Sequence, residues 1–147
     1  MDDKKNSSGY YGVARAGLRN VGSYQVSGHP FLTGSTIGTG AEQKIEFPYV
    51  TRSVTVISSG SAELRVYFNS TGSVESPHVI TNHHFLTLTG DGENITFIVR
   101  CKEIFVNCTA DGSDTANNGM NGYELFAELT TIPTGSMYVF TGSGLTD

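Results

Sequence analysis

The four histidines and two cysteines are the residues of this 147-residue chain best suited to bind a metal ion. His83 and His84 are neighbours in a segment that we predict to be a strand, where successive side chains point to opposite faces. They therefore cannot bind one ion together unless a bulge intervenes. A zinc site would need His29 or His78 to converge with a cysteine or carboxylate from elsewhere. The sequence predicts no metal site and no cofactor.

The two cysteines, Cys101 and Cys108, bracket the segment CKEIFVNC. If this segment is a strand, their Cα atoms lie about 20 Å apart, because each strand residue adds roughly 3.3 Å. A disulfide needs Cα atoms within about 7 Å. We therefore predict two buried, reduced thiols, which in apolar surroundings are usually inert as nucleophiles.

Other catalytic arrangements are equally hard to build. No G-x-S-x-G turn between a strand and a helix supplies a nucleophilic serine, and the Gly-rich segment GSTIGTG lacks the lysine and helix of a phosphate-binding loop. Paired carboxylates would have to come from Asp111, Asp114, Glu124 or Glu128. Glu124 and Glu128 share a strand face with Phe126 between them, which is more typical of an exposed or interfacial face. The sequence therefore predicts a protein that is not an enzyme.

Composition and charge exclude further classes. The net charge is −5, and only 16% of residues are charged, so the broad basic surface of a nucleic-acid binder is missing. No apolar run is long enough to cross a bilayer, and the first residues lack the apolar segment of a secretory signal. We expect no nucleic-acid or membrane partner. Lys4, Lys5, Arg15 and Arg19 make the beginning basic, which suits either a solvated tail or an arm on an acidic neighbour.

Apolar residues alternate with polar ones from residue 42 onward, as in EQKIEF, TRSVTVISS, AELRVYF and YELFAEL. This period of two predicts strands. About eight short strands with turn signals between them predict an all-β fold, a β-sandwich or jelly roll of antiparallel strands. We assign residues 1–40 to an extended N-terminal arm with short strands and residues 41–147 to the β-sandwich domain.

Turn residues refine this prediction. Ser58-Ser59-Gly60-Ser61 predicts a hairpin between two strands, and the Asp-Gly pair within residues 85–100 predicts a second hairpin. Glycines in residues 21–28 argue against a helix there. Residues 136–144 are predicted to form a last short strand.

Several apolar side chains fall on strand faces opposite the predicted core. They are Tyr67, Ile98, Phe105 and Phe126. Such positions are polar in an isolated sandwich, so their face must be covered. Two explanations stay open: another subunit or the arm covers them, or both faces of a central strand are buried within one domain. We predict a subunit-interface face.

Four stretches of the chain resemble small virion structural proteins of marine tailed bacteriophages, especially cyanophage-like ones. They are NVGSYQVSGHPFLTG (20–34), EQKIEFPYVTRSVTVI (42–57), FAELTTIP (126–133) and TGSMYVFTGSGLTD (134–147). They cover about a third of the chain and contain no catalytic motif.

The resemblance implies a capsid decoration or cement protein that binds the outer surface of the phage head. Its partner would be the major capsid protein, it would form a homo-oligomer on the shell, and it would be made in the host cytoplasm and reside in the virion. We further expect a capsid-binding arm that contains Tyr10, Tyr11, Arg15, Arg19 and Tyr24.

Two other functions stay open. One is a receptor- or carbohydrate-binding module of a tail fibre that uses the loops at residues 69–84 and 109–122. The other is an enzyme or lectin domain outside any virus, for which no convergent polar site is visible in the sequence.

Overall fold

The computed structural model describes residues 16–25, 28–38, 42–70, 84–109 and 120–145. The strands within these ranges are β1 (His29–Gly38), β2 (Glu42–Glu46), β3 (Tyr49–Ser59), β4 (Glu63–Tyr67), β5 (Leu86–Leu88), β6 (Asn94–Phe97), β7 (Glu103–Thr109) and β8 (Met120–Pro133). A four-residue helix, α1 (Gly22–Gln25), precedes them, and a 3₁₀ turn (Thr134–Ser136) follows β8.

The eight strands form two antiparallel sheets of four. The first sheet has the order β1-β8-β3-β6, and the second has the order β2-β7-β4-β5. Two strands that follow each other in the chain belong to different sheets, with the single exception of β4 and β5. This is the strand order of a jelly roll, in which two sheets share one core. The predicted all-β fold is confirmed.

The main core lies between the two sheets and is built from the inward residues of alternating strands. Its innermost side chains, all at most 3% exposed, include Val54, Val56, Leu64, Val66, Ile104, Val106, Leu125, Ala127 and Leu129. Within each strand these buried residues are two positions apart, because successive side chains of a strand point to opposite faces. The alternation in YELFAEL therefore identified both the strand and its buried face correctly.

Both predicted hairpins are wrong. The turn at residues 58–61 joins β3 to β4, and residues 85–100 contain β5 and β6, yet each pair is divided between the two sheets. The turn chemistry itself is present: Gly60 has a φ of 123°, which favours glycine. Such a turn reverses the chain equally well within one sheet or between two sheets.

These two turns bind each other. The N–H of Ser58 donates to the carbonyl of Glu93 at 2.7 Å, and the N–H of Gly92 donates to the carbonyl of Ser58 at 2.8 Å. The N–H of Gly60 also donates to Oδ1 of Asp91 at 3.1 Å. The Asp-Gly turn therefore fixes one end of the sandwich instead of closing a hairpin.

Two predictions at the ends of the chain are also wrong. Residues 22–25 form a helical turn despite their glycine, because the side-chain oxygen of Asn20 accepts the N–H of Gly22 at 3.0 Å and caps it. Residues 136–144 form no strand. β8 already has a strand neighbour on each side, so the chain cannot fold straight back and pair with β8, and Met137 instead packs on Val50 and Ile132.

Strand β1 lies within the range predicted as an arm with short strands. It pairs with β8 at ten successive positions, from His29 with Leu129 to Gly38 with Met120. This strand is an edge of the first sheet.

Candidate protein-interaction surface

The cysteines are free and buried, as predicted. The Sγ atom of Cys101 lies 3.2 Å from the hydroxyl of Thr51, which also accepts the backbone N–H of Cys101 at 3.0 Å. Burial raises the pKa of the Cys101 thiol to about 11. The thiol is therefore neutral near pH 7, which makes it a poor nucleophile.

The described histidines do not converge on a common site. His29 begins β1 on the surface, with its ring 6.4 Å from that of Tyr49, and His84 lies just before β5 instead of within a strand. His78, His83 and the polar loop at residues 110–119 fall outside the described residues. Within the described part of the chain, no three His, Cys, Asp or Glu side chains are grouped to hold a metal ion.

The outer face of the second sheet carries a covered aromatic pair. The rings of Tyr67 on β4 and Phe105 on β7 stack 5.8 Å apart, and both residues are buried. Phe85 packs against the pair, and the guanidinium of Arg65 lies 4.4 Å above the Phe85 ring. Tyr67 and Phe105, assigned from the sequence to a subunit-interface face, are therefore covered by the chain itself.

The Tyr67 hydroxyl is bound to a carboxylate. It donates to Oε2 of Glu42 at 2.6 Å, and the hydroxyl of Ser70 donates to Oε1 at 2.7 Å. Burial, followed by the hydrogen bond to Glu42, raises the pKa of Tyr67 well above its ordinary value of 10. The protonated phenol thus links β4 to β2 across the second sheet.

The Tyr67→Phe variant is expected to have an unfolding free energy about 1.5–3 kcal/mol below that of the wild type at neutral pH, because a hydrogen bond to a charged group is lost. The raised pKa of Tyr67 adds a pH dependence. In the unfolded chain Tyr67 ionises near pH 10, whereas in the folded protein it stays protonated. The contribution of Tyr67 to the unfolding free energy is therefore complete below pH 10 and is lost as the pH rises above 10.

Urea unfolding between pH 7 and pH 11 checks this prediction. The unfolding free energy of the wild type should fall more steeply above pH 10 than that of Tyr67→Phe. Tyr49→Phe, at a residue 42% exposed, is the control and should change stability by less than about 0.5 kcal/mol. Parallel curves for Tyr67→Phe and the wild type above pH 10 would contradict the prediction.

The outer face of the first sheet is different because its apolar side chains remain exposed. Leu32 on β1 is paired with Phe126 on β8, and they are 76% and 39% exposed. Ile98, which follows β6, is 85% exposed, and Ile57 on β3 is partly exposed. We call these four residues the outer apolar strip. Ile98 and Phe126 were predicted to lie on an interface face, and the structure leaves both open to solvent.

A shallow groove lies among three residues of the outer apolar strip. Its volume is about 350 Å³, and Leu32, Ile57 and Phe126 line it together with Gly34. A Cβ atom at Gly34 would lie 2.9 Å from the carbonyl oxygen of Tyr123, so only glycine lets β1 approach β8 this closely. The missing side chain at residue 34 also leaves the groove open.

Acidic side chains flank Phe126. Glu124 and Glu128 precede and follow it by two positions on the same face of β8, and Glu124 is exposed. The Glu128 carboxylate accepts a hydrogen bond from the Ser53 hydroxyl at 2.8 Å. The strip thus combines apolar contact area with negative charge, which favours a partner surface of the opposite sign.

The residues assigned to a capsid-binding arm are only partly described. Tyr10, Tyr11 and Arg15 fall outside the described residues, and Arg19 is exposed. Tyr24 packs on the small cluster of Val50, Ile132 and Met137.

Hydrogen bonds hold this N-terminal segment to the domain. The hydroxyl of Tyr24 donates to the carbonyl of Leu18 at 2.8 Å, and the same carbonyl accepts from Nη1 of Arg100 at 2.9 Å. Residues 16–25 therefore lie against their own domain.

By its strand order this protein is a jelly-roll domain, and the outer face of its first sheet exposes apolar side chains. Comparison with protein-family models gives no matching family, and comparison with curated proteins gives no match. No helix in the described ranges is long and apolar enough to span a membrane.

Proposed function

We propose that this protein is a capsid decoration protein that binds the outer surface of a tailed-phage head, with the major capsid protein as its partner. The observation that carries this proposal is the outer apolar strip. A complete jelly roll already buries the inner face of each sheet, so exposed Leu32, Ile98 and Phe126 contribute nothing to its own core. Large exposed apolar side chains on one face are typical of a protein contact.

The physical mechanism is burial of this strip on the shell. Each Å² of apolar surface removed from water contributes roughly 25 cal/mol, and an aromatic side chain in a groove is a common centre of binding energy. A decoration protein that contacts two capsid subunits links them, because separating the subunits then also requires breaking a decoration contact. The same contact repeated over the shell would resist its expansion.

The jelly roll alone does not select this function, since the same fold occurs in capsid and lectin domains. The resemblance of four sequence stretches to phage virion proteins supports the capsid role. The loops that a tail-fibre module would use, residues 69–84 and 109–122, lie mostly outside the described residues, so no contact among the described residues favours that alternative.

A density map of purified virions of the phage that encodes this chain tests the proposal. We expect the jelly roll in many copies on the outer surface of the head, in contact with the major capsid protein. Density for the chain only in tail fibres would contradict the decoration role and support the receptor- or carbohydrate-binding alternative.

A further inference from the structure

The two sheets have four edge strands, and three of them are poor sites for pairing with another chain. β5 has three residues, β6 has four, and β2 has five, of which Glu42, Lys44 and Glu46 are charged. Short or charged edges are the usual protection against unwanted strand pairing. β1 is the exception, with ten residues and no Asp, Glu, Lys or Arg.

β1 is also regular in its pairing and mostly exposed. Its register with β8 continues through ten positions without a bulge, and seven of its ten residues are exposed. β8 is its single strand neighbour within the described ranges. Of the residue types that protect a sheet edge, β1 itself contains only Pro30, near its start.

Pro30 indicates which backbone groups face outward. A proline in an antiparallel sheet sits where its nitrogen, which has no hydrogen, faces away from the neighbouring strand. The N–H and C=O of one residue point to the same side, and this side alternates along the strand. Leu32, Gly34 and Thr36 therefore direct their N–H and C=O groups away from β8. Consistent with this direction, the Thr36 carbonyl accepts a hydrogen bond from the Ser35 hydroxyl at 3.0 Å at an exposed position.

We propose that β1 pairs antiparallel with β1 of a second copy of this chain, so that the first sheets of two copies join into one sheet of eight strands. The occupant is an extended strand, because only a strand satisfies a row of outward N–H and C=O groups. A second copy fits because two identical β1 strands meet around a two-fold axis without like-charge repulsion. Two β2 strands would instead bring glutamates together.

The two-fold axis passes near Gly34. This glycine has no side chain to clash with its own copy, and Leu32 of one copy then lies opposite Thr36 of the other. Pairing extends the outer face of the first sheet, so the two outer apolar strips lie on one continuous surface. The dimer does not depend on the proposed capsid role, and it forms in solution without a capsid.

Sedimentation equilibrium of the full chain over a range of concentrations tests the pairing. The wild type should show a species of twice the 15.7 kDa mass of one chain. Thr36→Lys places a charge at the exposed pairing edge and should raise the dimer dissociation constant at least about tenfold. Asn94→Lys places the same charge on β6, the opposite edge of the same sheet, and should leave the constant unchanged.

Hydrogen exchange supplies a second measurement that does not depend on a variant. The amides of Leu32, Gly34 and Thr36 should exchange more slowly as the wild-type concentration rises. A wild type that stays monomeric overturns the proposal. So does a Thr36→Lys variant that is folded by circular dichroism and dimerises as tightly as the wild type, or an equal loss of dimer in Asn94→Lys.

Discussion

Replacing Ile104 by alanine is expected to lower the unfolding free energy by about 2–5 kcal/mol, the usual cost of truncating a fully buried isoleucine. Ile104 lies on β7, and its side chain is in the core between the two sheets, where it is 0% exposed. Its removal leaves a cavity lined by side chains of both sheets, which close packing prevents from collapsing fully. The same substitution at Ile98, which is 85% exposed, should change the free energy by less than about 0.5 kcal/mol.

Urea unfolding of the two variants measures this difference directly, because the residue type and the substitution are identical. We expect the midpoint of Ile104→Ala to fall well below that of the wild type with a similar slope, and that of Ile98→Ala to stay near it. Equal losses at both positions would show that the two faces of the sheets have been assigned incorrectly.

The strands could be predicted from sequence because burial of one sheet face imposes alternation. The segment from Tyr123 to Leu129 contains good helix formers, yet its alternate residues are the ones that the structure buries. Local periodicity reflects a local requirement: each inward side chain must enter the core, and its neighbour must leave it.

Strand pairing could not be predicted in the same way. β1 pairs with β8, which joins His29 to Leu129, and no local pattern specifies a partner so distant in sequence. The turn signals at residues 58–61 and 85–100 marked real reversals of the chain. They contain no information on whether the next strand remains in the same sheet, and both predicted hairpins failed for that reason.

The interface prediction was limited by the same missing information. Alternation placed Tyr67, Phe105 and Phe126 opposite the core, but it could not show that they belong to different sheets. The structure covers Tyr67 and Phe105 with Phe85 and leaves Phe126 exposed.

Two residues of the outer apolar strip were not identified from the sequence. Leu32 directly follows Phe31, and Ile57 directly follows Val56. Adjacent strand residues point to opposite faces, so one member of each pair had to point outward. The sequence therefore showed that one residue of each adjacent apolar pair points outward. It could not show which of the two does so, because that depends on the neighbouring strands.

Replacing Phe126 by aspartate is expected to weaken capsid binding at least about 100-fold, because the substitution removes the central ring of the strip. The new carboxylate would also lie between Glu124 and Glu128 on one strand face, where like charges repel. Phe126→Thr removes the ring without adding charge and keeps a residue that suits a strand, so it should weaken binding less.

The control is Val139→Asp, which adds the same charge at an apolar residue 49% exposed outside the strip. This variant should bind capsids as the wild type does. Thermal unfolding of each variant shows whether the domain is folded before binding is compared.

In the proposed function, the outer face of the sheet β1-β8-β3-β6 contacts the phage shell. This contact can be tested by a competition in which differently labelled wild type and Phe126→Asp are mixed and bind to phage heads stripped of this protein. We predict that the bound fraction consists almost entirely of the wild type, while Val139→Asp competes on equal terms. Equal binding by folded Phe126→Asp and wild type would show that this face does not contact the shell.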